Sequence, residues 1–219
     1  MVNFYDRLTY ETFSASQIEM TLTLALDKPQ RFAGCYYARM NPVLYRMSTL
    51  VPLPCCKIDP CVKDAMSIFL KNSFNDVEEY YSEYEKELDD KYSEKGLPQD
   101  GYTSLKFTNE KEFTLLVDNP YALRLARLIV RYDNLLKKLD FYWLSGFMGD
   151  AERLTQTILL NNKIKTFRHS IGHINKALCT KKYKSLGFGG EDELTRDEIV
   201  AALHEKSDYP DTEFKASAA

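Results

Sequence analysis

The sequence predicts a mostly α-helical α+β protein, with a short β-ribbon leading into two long helices and all of this embedded in a larger helical domain. Three observations predict it. Apolar residues recur at three- and four-residue spacings over three long stretches, from about 60 to 95, 119 to 140 and 150 to 179, the signature of amphipathic helices. Two shorter stretches, 19–27 and 103–117, alternate polar and apolar residues instead, as half-buried strands do. Capping and turn residues stand at the joints: Pro60, Gly96, Asn119-Pro120 and Asp150.

Taken in order, EMTLTLALD at 19–27 sets Thr21 and Thr23 between Met20, Leu22 and Leu24 and reads as a strand. A helix begins near 28 and is expected to break at Asn41-Pro42, because proline lacks the donor a helix interior needs. VPLPCCKIDPC, 51–61, holds three prolines and reads as an irregular connection. The next helix places Val62, Met66, Phe69, Val77, Tyr80, Tyr84 and Leu88 on one face, with a lapse near Ser73, and its acids on the face left open to solvent. After the turn cluster GLPQDG, residues 103–117 form either one extended segment or a hairpin turning near Asn109 and Glu110.

Asn119 caps the following helix, and Pro120 suits its first position. Leu125, Leu128, Tyr132, Leu135 and Leu139 define its core stripe, flanked by Arg124, Arg127, Arg131 and Lys138, with Asp133 and Asp140 on the far side. The last long helix carries Leu160, Ile164, Phe167, Ile171, Ile174 and Leu178 opposite Lys165, Arg168, His169 and Lys176. From Gly187 the chain is glycine-rich, then acidic.

A chain of 219 residues with 44% hydrophobic content can bury a core. It has neither a membrane-length apolar run nor a signal-peptide pattern, and its five cysteines are odd in number and scattered. A soluble cytoplasmic protein without disulfides is expected. The net charge of -3 conceals a division into three regions: residues 1–101 carry -5, residues 102–188 carry +8 and residues 189–219 carry -6. A basic centre between acidic flanks suits a chain that meets a polyanion.

Enzymatic, metal and cofactor chemistry find little support. His169 and His173 stand four apart, but the glutamate of a zinc-helix motif is missing and basic residues surround the pair. Cys55, Cys56 and Cys61 have no recurring zinc spacing, and GFGG at 187–190 lacks the lysine of a phosphate loop. No cofactor, metal or small-molecule ligand is therefore expected, and no membrane partner.

Strand, capped helix, helix is the order of the ribbon-helix-helix unit, in which two chains pair strands into a ribbon that enters the major groove of DNA. The run DNPYALRLARLIVRYDNLLKKLDFYWLSGFMGDAERL, followed by the helix ending in NKALCTKKYKSLGF, resembles the AcaB-like family of regulators of conjugative plasmids and integrative conjugative elements. The resemblance extends over about 20–188 and implies a homo-oligomeric transcriptional activator of conjugation genes that binds double-stranded DNA. By position it places the ribbon within 103–117 and the helix pair at 119–140 and 150–179, after an N-terminal region 1–101 and before an acidic tail 189–219.

On this reading Lys106 and Thr108, pointing away from Leu105 and Phe107, reach base edges, with Asn109, Lys111 and Thr114 beside them. Asn119 caps the helix and aims its basic face, on which Arg124, Arg127 and Arg131 neutralise phosphates. The same arginines have an alternative use, pairing with the acidic helix at 76–94. The competing function is a helical protein-interaction or assembly factor that does not bind DNA.

Overall fold

The computed structural model describes residues 17–50, 60–93 and 101–179. Strand β1 is Ile18–Leu24. Helix α1, Asp27–Phe32, continues through a wide π turn, Ala33–Tyr37, into α2, Ala38–Tyr45, and a second π turn, Arg46–Leu50. Helix α3 is Pro60–Ser93, a 3₁₀ turn occupies Gly101–Ser104, β2 is Lys111–Val117, α4 is Pro120–Leu144 and α5 is Asp150–Cys179. Cys55, Cys56, the GFGG segment and the acidic tail lie outside the described residues.

The mostly helical character and the two-stranded antiparallel ribbon are both present. The ribbon joins distant parts of one chain: β2 pairs with β1, Ile18 opposite Val117 and Leu24 opposite Lys111. Their alternation fits, since Leu22 and Leu24 from one strand and Leu115 and Val117 from the other all point into the core. Neither local arrangement anticipated for 103–117 occurs. Residues 108–109 form a turn, but 105–107 run beside α4, where Phe107 lies 5.9 Å from Lys137 Nζ.

Pro42 does not break the helix. It sits inside α2 between the two π turns, whose altered hydrogen-bond spacing accommodates a residue with no N–H. Asn41 is buried and acts as a joint. Its amide donates to Leu116 O at 3.1 Å, beside the Tyr37 hydroxyl at 2.9 Å, while its own oxygen accepts from Asn119 at 3.1 Å.

Helix α4 is the centre of the molecule. The predicted stripe Leu125, Leu128, Tyr132, Leu135 and Leu139 is buried, and so are Ala126, Ile129 and Leu136 on the next facet. Cross-contacts give the helix directions. Arg124 meets Glu78 and Arg131 meets Glu85, so α3 and α4 run parallel, whereas Asp140 meets Arg153 and Tyr132 meets Asn161, so α5 returns antiparallel. The lapse near Ser73 is filled by Phe74, fully buried between Tyr121 and Phe167 at centroid distances of 5.3 and 4.8 Å.

Stacked tyrosines close the far end of the α3–α4 seam, with the Tyr92 and Tyr142 rings 3.9 Å apart. Burial pushes the Tyr142 hydroxyl up to about 12 and raises Tyr81, Tyr84 and Tyr132 well above the ordinary phenol value. These hydroxyls stay neutral at physiological pH.

Asn119 caps α4 as its sequence predicts: its side-chain oxygen accepts from the Ala122 N–H at 2.9 Å. Its amide also donates to Asn41, so the cap doubles as a tertiary contact. Asn119→Ala is expected to lower the unfolding free energy by about 2 kcal/mol, the upper end for a cap, because the Asn41 bond is lost with it. Urea unfolding followed by circular dichroism measures this.

Candidate nucleic-acid interface

The basic flank of α4 faces α3 over most of its length. Arg124 lies 2.6 Å from Glu78 and donates to Asn75 at 2.9 Å, its guanidinium 4.9 Å from the Phe74 ring centre. Seven residues on, Arg131 meets Glu85 at 3.0 Å, and a further seven on, Lys138 Nζ sits between Glu85 at 2.8 Å and Asp89 at 3.0 Å. The seven-residue step keeps all three cations on one side of α4, and the acids of α3 follow in register. Burial raises the Glu85 carboxyl, but hydrogen bonds from Lys138 and Arg131 outweigh it and hold the group below its usual range. Lys138 is correspondingly raised. Arg127, off this line, is exposed and makes no ion pair among the described residues.

The acids of α4 also work inside the fold. Asp133 is 1% exposed, and its carboxylate accepts from the backbone N–H groups of Ala25 and Leu26 where β1 turns into α1. Asp140 pairs with Arg153 of α5 at 2.7 Å. Sequence spacing places both residues opposite the basic flank, but it cannot show that β1 and α5 cover that side.

Lys106, Thr108, Asn109 and Lys111 are all exposed and gather at one tip of the ribbon. The tip is anchored: the Gln30 amide donates to both Leu24 O and Asn109 O, tying the turn to β1 and α1. Thr114 lies mid-ribbon on the outer face, opposite Thr21. That outer face also carries Glu19, Thr23, Glu112 and Leu116, so it holds two acids and no cation. At the tip Glu110 and Glu112 offset Lys106 and Lys111. The tip therefore offers hydrogen-bond donors and acceptors on a fixed frame with no net charge. Asn119, by contrast, is buried and its side chain serves the cap.

Residues that sequence reasoning passes over are Lys28, Arg31 and Arg39 on the exposed side of α1 and α2. They fall in the segment 1–101, whose negative total is set by the acids of α3. A count over the first forty residues of helix alone would have exposed them.

No protein-family model and no curated protein sequence matches the chain. Among solved structures, AcaB from uropathogenic E. coli, in a selenomethionine-containing crystal, shares the fold with a TM-score of 0.65 at 18% sequence identity. The match covers 89% of this chain and 100% of that one, so the likeness extends over the helices and the ribbon together and gives this protein an AcaB-like fold. No helix among the described residues is long and apolar enough to cross a membrane.

Proposed function

We propose that this protein is a cytoplasmic, homo-oligomeric transcriptional regulator that binds specific double-stranded DNA and activates genes of conjugative transfer. The tip of the ribbon carries this reading. Lys106, Thr108, Asn109 and Lys111 project from a turn that Gln30 and the β1–β2 pairing hold in place, and hydrogen-bonding side chains on an anchored backbone suit the reading of base edges in a major groove. The order of strand, capped helix and helix agrees with a ribbon-helix-helix-like unit, here with the second strand supplied from within the same chain. The AcaB-like fold and the resemblance of residues 119–135 to AcaB-like regulators support the same role.

Lys106→Ala and Thr108→Ala are each expected to reduce discrimination between cognate and scrambled duplex by about 1–3 kcal/mol while leaving non-specific binding nearly intact. Arg127→Ala weakens all duplexes alike. Fluorescence anisotropy against fragments of the native element measures both, and no fragment preferred over another at low salt sinks the proposal.

One observation favours the competing role of a protein-interaction or assembly factor. Leu144, Phe147, Leu154 and Ile158 are exposed around the α4–α5 corner, where a partner protein would find apolar surface. Light scattering separates the two: a mass unchanged by duplex DNA favours the interaction factor.

A further inference from the structure

The tip of the ribbon has no net charge, so a polyanion held there needs a cationic anchor elsewhere. Seven cations of the described residues are in ion pairs: Lys91, Arg124, Arg131, Lys137, Lys138, Arg153 and Lys163. Five others, Lys28, Arg31, Arg39, Lys165 and Arg168, stand together on helices that pack against one another. The exposed positions of α1, the π turn and α2 are 27, 28, 31, 34, 35, 38 and 39, and their charged residues are Lys28, Arg31 and Arg39 against the single acid Asp27. Helix α5 runs alongside. Arg168, half-buried, lies over the Tyr36 ring at 4.2 Å, and exposed Lys165 is its neighbour by one turn. Arg168 also shares a hydrogen bond of 2.9 Å with the ring of exposed His169.

We propose that the surface formed by α1, α2 and α5, carrying Lys28, Arg31, Arg39, Lys165 and Arg168, holds the phosphate backbone of double-stranded DNA. This rests on the DNA-binding role proposed above. The cations are close enough to repel one another: burial lowers the Lys28 ammonium, and the charges of Lys165 and Arg153 lower it further. Asp27, with Asp140 and Asp150 lining the recess beside Lys28, offsets part of this charge, and the cations left in excess are relieved by an anion. From Lys28 to Arg39 the row extends about 16 Å at the helical rise, enough to follow several phosphates of one strand. Gly34, Cys35 and Ala38 lie between the cations, so nothing tall stands in the row.

The chemistry also discriminates between classes of partner. A protein partner is held by an apolar or aromatic centre with a polar rim. Of the exposed large apolar residues, Leu154 borders the recess beside Lys28, and none falls at the exposed positions of α1 and α2. Gln30 links this surface to the tip, one residue before Arg31, so one duplex can meet both. The tip supplies choice of sequence and the helical surface supplies affinity and salt dependence.

Cys35 is an exposed thiol within the row and reports on whether the surface is covered. With the full-length protein and duplex from its own element, alkylation of the Cys35 peptide, followed by mass spectrometry, should slow by about tenfold at saturation, because reaction requires access to the thiolate. Lys28→Ala combined with Arg39→Ala, both exposed substitutions, should reduce the slope of log affinity against log salt by about two. Bound duplex with unprotected Cys35 and an unchanged slope overturns the assignment and leaves DNA binding standing. Absence of any duplex binding at low salt overturns both. Protection of Cys35 by polyglutamate and not by duplex assigns the surface to an acidic protein and overturns it as well.

Discussion

Lys138→Met is expected to lower the unfolding free energy by about 2–3 kcal/mol, because it removes a buried cation from Glu85 and Asp89, whose side chains are 30% and 21% exposed. Lys138 is 5% exposed, and its ammonium donates to Glu85 and to both oxygens of Asp89. Methionine keeps the aliphatic stem and removes the charge, so the loss reports the ion cluster and not a cavity. Glu85 would retain Arg131, whereas Asp89 would keep only the Tyr142 hydroxyl at 3.4 Å. Arg124 and Arg131, each about a third exposed, form screened pairs that contribute much less.

The pH dependence gives this prediction a second readout. The Glu85 carboxyl is depressed in the folded state, so its contribution is complete above the unfolded carboxylate range and disappears as pH falls through the folded value. Lys138 is raised, so its contribution is complete below its unfolded value and disappears as pH rises beyond it. The stability difference between Lys138→Met and the parent should therefore be widest near neutral pH, and narrow below about 4 and above about 10.5. A difference that is flat across that range would mean that lost packing, and not charge, explains the effect.

Lys138 also shows where the sequence stops being informative. Helix α4 was legible in its capped N-terminal end and its stripe, because a cap and a 3.6-residue period are local properties that survive any tertiary arrangement, whereas its C-terminal end lies at Leu144 and not at 140. The stripe identifies one buried facet. What it cannot show is that α4 is enclosed by α3, α5 and the ribbon together, which turns Lys138 and Asp133 from surface charges into interior ones. A lysine beside a leucine stripe looks the same whether water or Asp89 lies beyond it.

The ribbon was legible as two strands and opaque as a pairing. Met20, Leu22 and Leu24 alternate as well as Phe113, Leu115 and Val117 do, but nothing in either segment states that its partner lies about ninety residues away. Pro42 misled for a related reason. The rule against proline in a helix is a rule about one hydrogen bond, and the flanking π turns change which bonds are made. The candidate interface was legible at Lys106–Lys111, a polar turn at the edge of a strand. The cationic row of α1 and α2 was hidden by averaging it with the most acidic helix of the chain.

Asp133→Ala is expected to cost about 3 kcal/mol, and its effect should reach the proposed interface through the backbone. The carboxylate accepts from Ala25 N at 3.2 and 3.3 Å and from Leu26 N at 3.1 Å, with Lys137 Nζ at 2.7 Å. Alanine leaves the buried Ala25 donor, the part-buried Leu26 donor and a largely covered ammonium without an acceptor, and each carries a desolvation penalty that the native contacts had removed. Ala25 and Leu26 join β1 to α1, so the anchor fixes where α1 begins and thereby where Lys28 and Arg31 project. Gln30, which binds the tip through Asn109 O, sits on that same helix. In hydrogen exchange below the unfolding transition, the Ala25 and Leu26 amides should lose protection first, followed by the tip. Asp133→Asn keeps an Oδ1 that can accept from both amides but loses the charge facing Lys137, and its effect should fall between those of the parent and the alanine variant. If Ala25 and Leu26 exchange no faster in Asp133→Ala, the carboxylate is not what holds the strand to the helix. In that case the geometry of the tip and the cationic row must be set by the Gln30 hydrogen bonds, the β1–β2 pairing and the packing of Leu22 and Leu24.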